Sequence, residues 1–130
     1  MELGGKKALV FGGTSGIGLS ASELLRDSGV EVVAISRDPS KAGDIEGIRL
    51  EQCDVRDPES LENLFAKEAP FDILISAATG GSRASGPFLK MELSAYQASF
   101  DKLWGYTNVV RLGTEPVSYT HLTLPTNGTV

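Results

Sequence analysis

Short apolar runs alternate with amphipathic stretches along most of the chain. Four runs are rich in Val, Ile, Leu and Phe and have the length of buried strands. The predicted strands, in chain order, are residues 7–11, 30–35, 47–55 and 71–75. Between them, apolar residues recur at the three- and four-residue spacing of a helix with one buried face. The pattern therefore predicts a protein in which strands and helices alternate.

Capping signals mark where the helices begin and end. Gly29 follows the first helix, Pro39 opens a short second helix, Asp57 precedes the next one, and Ser94 is the predicted cap of a long last helix. The main helices are predicted over residues 17–28, 58–67 and 94–112. The side chains expected to face the core are Ile17, Ala21, Leu24 and Leu25, then Leu61, Leu64 and Phe65, and finally Tyr96, Phe100, Leu103, Thr107 and Val110.

Alternation of strands with crossover helices implies a parallel sheet of the α/β class. Crossovers are almost always right-handed, which gives four strands the order 3-2-1-4 in a doubly wound sheet. No internal repeat is evident.

A glycine-rich segment lies between the first strand and the first helix. Gly12 permits a tight turn, Gly16 lets the backbone approach a phosphate, and Gly18 lets the helix lie close to the sheet. Free N–H groups at the positive end of a helix would stabilise an anion. A glycine turn that binds nothing is one alternative. A P-loop is another, but it is disfavoured because no Gly-Lys-Ser/Thr ends the segment.

The segment Gly12-x-x-x-Gly16-Ile17-Gly18 resembles the TGxxxGIG fingerprint of the short-chain dehydrogenase/reductase family, with Phe11 where threonine is usual. The resemblance covers residues 5–115 by order of elements. It implies a Rossmann fold and hydride transfer between a nicotinamide cofactor and a carbonyl or alcohol. The residues that it implies at the cofactor are Gly12, Thr14, Ser15, Gly16, Ile17, Gly18, Ser36, Arg37, Asp54, Val55, Ala77 and Ala78.

The end of the second strand, Ser36-Arg37, bears on the choice of cofactor. An acidic residue that would bond the ribose 2′-hydroxyl is absent at this strand end. A hydroxyl and a guanidinium suit a 2′-phosphate, and arginine here generally accompanies NADP(H) in the family. We therefore expect NADP(H) to be preferred over NAD(H), with Lys41 adding charge. Arg37 could instead be an ordinary surface residue after a strand.

Cys53-Asp54-Val55 resembles the family's Asp-Val step after the third strand. The resemblance implies that Asp54 accepts a hydrogen bond from the adenine amino group and that Val55 packs on the ring. Asp54 could instead only begin the turn towards Asp57. Cys53 is expected to be a buried packing residue.

Two positions depart from the family pattern. Ser76-Ala77-Ala78-Thr79 stands where the family has Asn-Asn-Ala-Gly, so hydrogen bonds that link strands are lost or replaced by Ser76. Lys102 stands where the long helix of the family carries an active-site asparagine. Its side chain could support a proton relay, bind an anionic substrate or point into solvent.

The family's catalytic tyrosine, with a lysine four residues later, has no counterpart in the chain. The residues four positions after the three tyrosines are Phe100, Val110 and Thr123. In the family this pair lies on later elements, so no catalytic residue is assigned. A chain lacking the pair is expected to be inactive by itself.

Composition narrows the classes of partner. The 130 residues suffice for one domain, and 41% hydrophobic with 22% charged residues is ordinary for a soluble globular chain. The net charge of −5 argues against nucleic acid, and no stretch approaches the roughly 20 apolar residues of a membrane span. One cysteine and one histidine leave no zinc-binding set, so no metal is expected. We expect a cytoplasmic protein with a small-molecule substrate.

The composition changes near residue 115. Residues 116–130 contain no charged side chain and hold four of the eight threonines. A DNA string that encodes Pro116–Thr126 resembles the end of a transposon-based sequencing adapter. We therefore expect residues 1–115 to be a truncated dinucleotide-binding domain and residues 116–130 to be a non-native, unstructured tail. A natural, uncharged and weakly β-prone tail is the alternative.

Three interpretations of the whole chain remain open at this point. The first is the cofactor-binding part of an NADP(H)-dependent oxidoreductase, whose parent is expected to be a homo-oligomer as in the family. The second is a non-catalytic NAD(P)-binding regulatory or sensor module. The third is a product of sequencing error that does not exist as a folded protein. Without a fifth strand, residues 71–75 are expected to be an unpaired, aggregation-prone edge.

Overall fold

The computed structural model describes residues 2–78 and 84–120, without the side chains of Val117–Thr120. Its strands are β1 (Lys7–Phe11), β2 (Glu31–Ser36), β3 (Ile48–Gln52), β4 (Phe71–Ser76) and β5 (Val117–Thr120). Its α-helices are α1 (Gly16–Asp27), α2 (Pro58–Glu68), α3 (Leu93–Ala98) and α4 (Asp101–Gly113). Short 3₁₀ helices cover Pro39–Lys41 and Phe88–Lys90. The four predicted strands and the alternation of strands with helices are confirmed, but β3 ends at Gln52 and not at residue 55 as predicted.

The strands form one parallel sheet in the order β3-β2-β1-β4-β5. The predicted order 3-2-1-4 is therefore confirmed for the first four strands. Phe11, the last residue of β1, is in register with Ile35 of β2 on one side and with Ser76 of β4 on the other. The carboxyl ends of these strands consequently lie level. In doubly wound sheets, ligands bind in the crevice beyond these ends.

Alternate residues of the strands face two separate cores, because successive side chains of a strand point to opposite sides of a sheet. One core joins the sheet to α2 and α4 and includes Leu9 and Phe11. The other lies under α1 and includes Ala8 and Val10. Within the described ranges, no helix is long and apolar enough to cross a bilayer.

The helix α2 begins at the predicted cap. The Asp57 carboxylate accepts hydrogen bonds from the backbone N–H groups of Glu59 at 3.1 Å and Ser60 at 3.4 Å. These bonds satisfy donors that have no partner inside the helix. The predicted inward face is confirmed, since Leu61, Leu64 and Phe65 are buried.

The inward face of α1 differs from the prediction. Ile17 and Leu24 are 58% and 70% exposed, whereas Ala21 and Leu25 pack against the core as expected. The buried residues of the helix are Gly18 and Ser22. Small residues allow the helix to approach the loop before it closely, and this approach turns the larger apolar side chains outwards.

The prediction of one long last helix was wrong both in the extent of the helix and in its buried face. It is divided into α3 and α4, and the cap position of α3 is Glu92 rather than Ser94. The predicted face is exposed or half-buried at Tyr96, Phe100, Leu103, Thr107 and Val110. The buried residues of α4 are Gly105, Asn108, Val109 and Gly113.

Glycine determines which face of α4 is inward. A Cβ on Gly105 would lie 2.4 Å from Val55 Cγ2, and one on Gly113 would lie 2.6 Å from Leu74 Cδ2. A Cβ at either position would force the facing side chain to shift, so glycine permits the present approach to the core. Hydrophobic periodicity alone does not register glycine as a contact residue, and the prediction therefore chose the larger apolar side chains.

The edge of β4 is paired, contrary to the expectation of an open edge. Val117 is in register with Phe71, and Thr120 with Leu74, so β5 adds a fifth parallel strand. Strand pairing uses backbone groups, which every sequence supplies, and α4 returns the chain to this edge of the sheet. This pairing does not bear on the hypothesis that residues 116–130 are translated adapter sequence, which stays a prediction. Residues 121–130 lie outside the described residues.

A buried carboxylate connects the amino ends of the strands. The Glu68 side chain is 2% exposed and lies 3.2 Å from Lys7 Nζ. The Arg49 guanidinium donates to both Glu68 carboxylate oxygens, with Nη1 at 3.1 Å from Oε2. Hydrogen bonding by Arg49, followed by that of Lys7, lowers the pKa of Glu68 despite the opposing effect of burial. Glu68, at the end of α2, thus links Lys7 of β1 to Arg49 of β3.

We predict that Glu68→Gln lowers the free energy of unfolding by about 2 kcal/mol at pH 7, because a buried ion pair loses one partner. A lowered pKa stabilises the fold fully above the unfolded value of about 4.3, and this contribution is lost as the pH falls through the folded value. Urea denaturation at pH 7 and pH 3 should therefore show a smaller difference between variant and parent at pH 3.

The matched control is Glu62→Gln, since Glu62 is exposed on the same helix. It should change the free energy of unfolding by less than about 0.5 kcal/mol. Equal effects of the two substitutions at pH 7 would contradict the assignment of Glu68 as a stabilising ion pair.

Candidate functional site

The predicted site residues come together at the carboxyl edge of the sheet. Backbone hydrogen bonds continue beyond the strands: Gly12 N donates to Ile35 O at 2.8 Å, and Ala77 N donates to Phe11 O at 2.8 Å. Cys53 N donates to Ser36 O at 3.0 Å. The glycine-rich segment is therefore held between the ends of β2 and β4. The residues that follow β3, Asp54–Arg56 (the Asp54 segment), lie on the far side of β2.

Close backbone contacts explain two glycines of this segment. Gly12 has a φ of 76°, and a Cβ there would lie 2.7 Å from the backbone of Ala77. A Cβ on Gly18 would lie 1.9 Å from the carbonyl oxygen of Gly12. The expected tight turn at Gly12 is thus present. Gly18 allows α1 to approach this turn, rather than a strand.

The start of α1 presents backbone donors beside open space. Gly16 has a φ of 55°, and nothing lies within 4 Å of the position that a Cβ would take. The Ser15 side chain makes no capping hydrogen bond to the first turn within the described structure. Helix N–H groups without an internal partner, together with the positive end of the helix dipole, suit an anion.

A cleft of about 560 Å³ opens between the glycine-rich segment and the end of β2. It is lined by Thr14, Ser15, Ser36, Arg37, Asp38, Lys41 and Ala42. Four of these, Thr14, Ser15, Ser36 and Arg37, were predicted site residues, and Lys41 was expected to add charge. Asp38 was missed as part of the site because it directly precedes Pro39, so this stretch was interpreted only as the start of a short helix. Two cationic side chains and one carboxylate therefore share the cleft.

Two buried hydroxyls at this edge have no hydrogen-bond partner among the described residues. They are Ser36 Oγ and Ser76 Oγ, at the ends of β2 and β4. Ser76 is 1% exposed, so its hydroxyl is fully withdrawn from solvent. Of the two outcomes expected for this position, the structure favours loss of the strand-linking hydrogen bonds over their replacement by Ser76.

The Asp54 carboxylate is held by Arg56. Arg56 Nε donates to Asp54 Oδ1 at 3.0 Å, and Arg56 Nη2 donates to Oδ2 at 2.8 Å. Hydrogen bonding by Arg56 lowers the pKa of Asp54, so the side chain is ionised at neutral pH. Asp54 also takes part in the turn, since its carbonyl accepts from Asp57 N at 3.0 Å. Arg56 was missed because the family pattern marks only the two residues before it.

The residues beside Asp54 are buried. Val55 is 4% exposed and packs in the core, which leaves little of its side chain at the surface. Cys53 is 5% exposed, which confirms its expected packing role. Burial, with smaller contributions from the charges of Asp54 and Asp57, raises the pKa of the Cys53 thiol to about 11. This thiol is therefore protonated at neutral pH.

The remaining predicted positions lie around β4 and α4. Ala77 and Ala78 are half-buried directly after β4, and Ala78 packs against the core. Thr79 lies outside the described residues. Lys102 is half-buried in the first turn of α4. The glycine-rich segment, the ends of β2 and β4, and the Asp54 segment thus form one continuous edge.

Comparisons with known proteins agree with this arrangement. A family model described as the NAD dependent epimerase/dehydratase family matches residues 8–87. L-xylulose reductase from Bos taurus is 33% identical over 104 residues, which are 77% of this chain and 42% of that protein. A solved short chain dehydrogenase/reductase family protein is 33% identical, with a TM-score of 0.74 over 89% of this chain and 51% of its own.

The chain belongs to the short-chain dehydrogenase/reductase family. A short-chain type dehydrogenase/reductase from Mycobacterium ulcerans shares the fold, with a TM-score of 0.78 at 23% identity over 89% of this chain and 48% of its own. The homologues of the chain in this family are NAD(P)-dependent oxidoreductases, and the chain matches their N-terminal Rossmann part. The chain spans about 42% of the length of the bovine relative and about half of the solved structures.

We predict that Ser76→Ala leaves the free energy of unfolding unchanged or raises it by up to about 1 kcal/mol, because an unpartnered buried hydroxyl costs free energy. Ser22→Ala is the matched control. Ser22 is equally buried, but its hydroxyl donates to Gly18 O at 2.9 Å and contacts Gly13 O at 3.1 Å. The control should lose about 1–2 kcal/mol in urea denaturation. A larger loss for Ser76→Ala than for Ser22→Ala would contradict this assignment.

Proposed function

We propose that this chain is the NADP(H)-binding part of an oxidoreductase that transfers hydride between the nicotinamide and a carbonyl or alcohol of a small molecule. The observation that carries the proposal is the cleft between the glycine-rich segment and β2, where Arg37 and Lys41 lie beside Ser36. The nicotinamide supplies the hydride chemistry when the cofactor is bound. The residues of this chain bind and orient the cofactor.

The glycine-rich segment is proposed to hold the pyrophosphate. The positive end of α1 and the open side of Gly16 support this role, because a backbone without a Cβ lets an anion approach the N–H groups. Thr14 and Ser15 line the same cleft and offer hydroxyl donors. Ile17 is 58% exposed in the first turn of α1, and Ala77 and Ala78 border the segment from the end of β4.

Preference for NADP(H) over NAD(H) is supported by the charges at the end of β2. A guanidinium can donate two charge-assisted hydrogen bonds to the 2′-phosphate, and the Lys41 ammonium adds a second positive charge. The buried Ser36 hydroxyl lacks a partner within the described residues and could donate to the same phosphate. Asp38 shares the cleft and opposes the phosphate charge, so the preference depends on Arg37 and Lys41 together.

The chain alone is proposed to bind the cofactor without turning over a substrate. None of its three tyrosines precedes a lysine by four residues, so the acid/base pair of the family has no counterpart in this sequence. A non-catalytic regulatory or sensor module is the second candidate. It is favoured by Lys102 and by Ser76-Ala77, which replace asparagines of the family pattern. Assembly of the parent into a homo-oligomer stays a prediction.

We predict that the chain binds NADPH more tightly than NADH and that Arg37→Met lowers the affinity for NADPH by about 10- to 100-fold. The reason is the loss of charge-assisted hydrogen bonds to the 2′-phosphate. The affinity for NADH, which lacks this phosphate, should change by less than about threefold. Isothermal titration calorimetry with both nucleotides measures the four dissociation constants.

The matched control is Arg111→Met, since Arg111 is exposed in the last turn of α4, away from the cleft. Both affinities should stay within about twofold of the parent. If Arg37→Met weakens both nucleotides equally, the 2′-phosphate assignment is wrong. If neither nucleotide binds the unchanged chain, the proposed function itself fails.

We predict that the chain does not oxidise NADPH in the presence of small aldehydes, ketones and sugars, measured by absorbance at 340 nm.

Sequencing of the source DNA across the Glu115 codon separates the two candidate functions. A frame that continues into a tyrosine and a lysine four residues later supports the oxidoreductase. A frame that continues without this pair supports the regulatory module, and turnover by the chain itself would contradict the proposed inactivity.

A further inference from the structure

The segment Asp54–Arg56 is fastened to α4 by four contacts. Arg56 Nη1 donates to Asp101 Oδ2 at 3.2 Å, and Trp104 Nε1 donates to Arg56 O at 3.3 Å. The buried Asn108 side chain donates to Val55 O at 3.0 Å. The approach of Gly105 to the Val55 side chain completes the contact. The segment is therefore packed against the helix and hydrogen-bonded to it.

Arg56 also occupies most of the acceptor capacity of Asp54. Its backbone N–H donates to Asp54 Oδ1 at 2.9 Å, its Nε donates to Oδ1 at 3.0 Å, and its Nη2 donates to Oδ2 at 2.8 Å. A carboxylate has about four acceptor positions. Three are used by Arg56, so among the bonds of the described residues one position remains, and it lies on Oδ2. About one third of the Asp54 side chain is exposed, which leaves it accessible to a ligand.

We propose that Arg56 is a positioning residue for adenine recognition. It fixes the Asp54 carboxylate in one orientation, with a single free acceptor position on Oδ2 for the adenine amino group. The same guanidinium connects this carboxylate to Asp101 at the start of α4. The inference rests on the proposed function, since it assumes that a dinucleotide binds with its adenine at Asp54.

A fixed carboxylate distinguishes adenine from hypoxanthine better than a mobile one. Adenine offers an amino donor at C6, whereas hypoxanthine has a carbonyl oxygen there and an N–H at N1. A carboxylate that is free to rotate can accept from either base. One that is held by Arg56 accepts the adenine amino group and repels the hypoxanthine oxygen. The ratio of the two affinities therefore reports the orientation of Asp54, not merely the integrity of the site.

The experiment measures binding of NADPH and of its hypoxanthine analogue to the 130-residue chain by isothermal titration calorimetry. The unchanged chain should prefer NADPH by about tenfold or more, the value of one hydrogen bond to a charged group. Arg56→Met should reduce this preference to about twofold, and Asp54→Ala should do the same. Arg56→Lys keeps the positive charge but not the paired donors, so this variant should retain only part of the preference for NADPH.

Two variants separate positioning from other roles. Asp101→Asn weakens the link to α4 but leaves the bonds between Arg56 and Asp54, so the preference for adenine should persist. Arg111→Met is the control for removal of a guanidinium and should also keep the preference. Circular dichroism and thermal denaturation establish that each variant is folded before titration.

Trp104 provides a readout that does not require a nucleotide. It is the only tryptophan of the chain, and its indole donates to the Arg56 carbonyl. Both Arg56→Met and Asp101→Asn should shift its fluorescence emission, because each removes or weakens the bond between Arg56 and Asp101 beside the indole contact. Only Arg56→Met should also change the nucleotide preference.

Three results would overturn the inference. In the first, folded Arg56→Met keeps the tenfold preference. In the second, it loses affinity for both nucleotides equally, which would indicate a structural role alone. In the third, it binds NADPH more tightly, which would show that Arg56 competes with adenine for Asp54. Failure of the unchanged chain to bind either nucleotide would overturn the proposed function and this inference together.

Discussion

The arrangement of the carboxyl edge depends on one close backbone contact, that of Gly12 with the end of β4. A Cβ on Gly12 would lie 2.7 Å from the Ala77 carbonyl group, and the Phe11 carbonyl accepts from Ala77 N. This contact sets the turn that directs the chain into α1. Gly18 then approaches the same turn. Backbones, rather than side chains, meet at this turn, and nothing lies within 4 Å of the position that a Cβ on Gly16 would take.

A second contact of the same kind connects the edge to α4. Gly105 lets this helix lie against Val55, and the hydrogen bonds of Asn108 and Trp104 then hold the segment that contains Asp54 and Arg56. The two halves of the edge are thus organised by glycine contacts on opposite faces of the sheet. Charged side chains at the end of β2 and directly after β3 lie on this backbone frame.

Most of the strands and the position of the candidate site could be predicted from the chain. The apolar runs that became β1, β2 and β4 are long enough to be recognised as buried strands, and the order of elements limits the sheet to few topologies. The buried faces of α1 and α4 could not be predicted in this way. Their inward residues include Gly18, Ser22, Gly105 and Asn108, whose burial follows from close packing and hydrogen bonds rather than from hydrophobicity.

The sequence by itself determined the cap at Asp57 and the glycine-rich segment, because these depend on local propensity and spacing. It also determined the strand order 3-2-1-4, because the order of elements and the right-handedness of crossovers leave few topologies. Only the tertiary structure decided the pairing of β5 with β4, the division of the last helix, and the engagement of Asp54 by Arg56 and Asp101. These features arise between residues distant in the chain. Their geometry depends on how closely the elements pack, which no local pattern encodes.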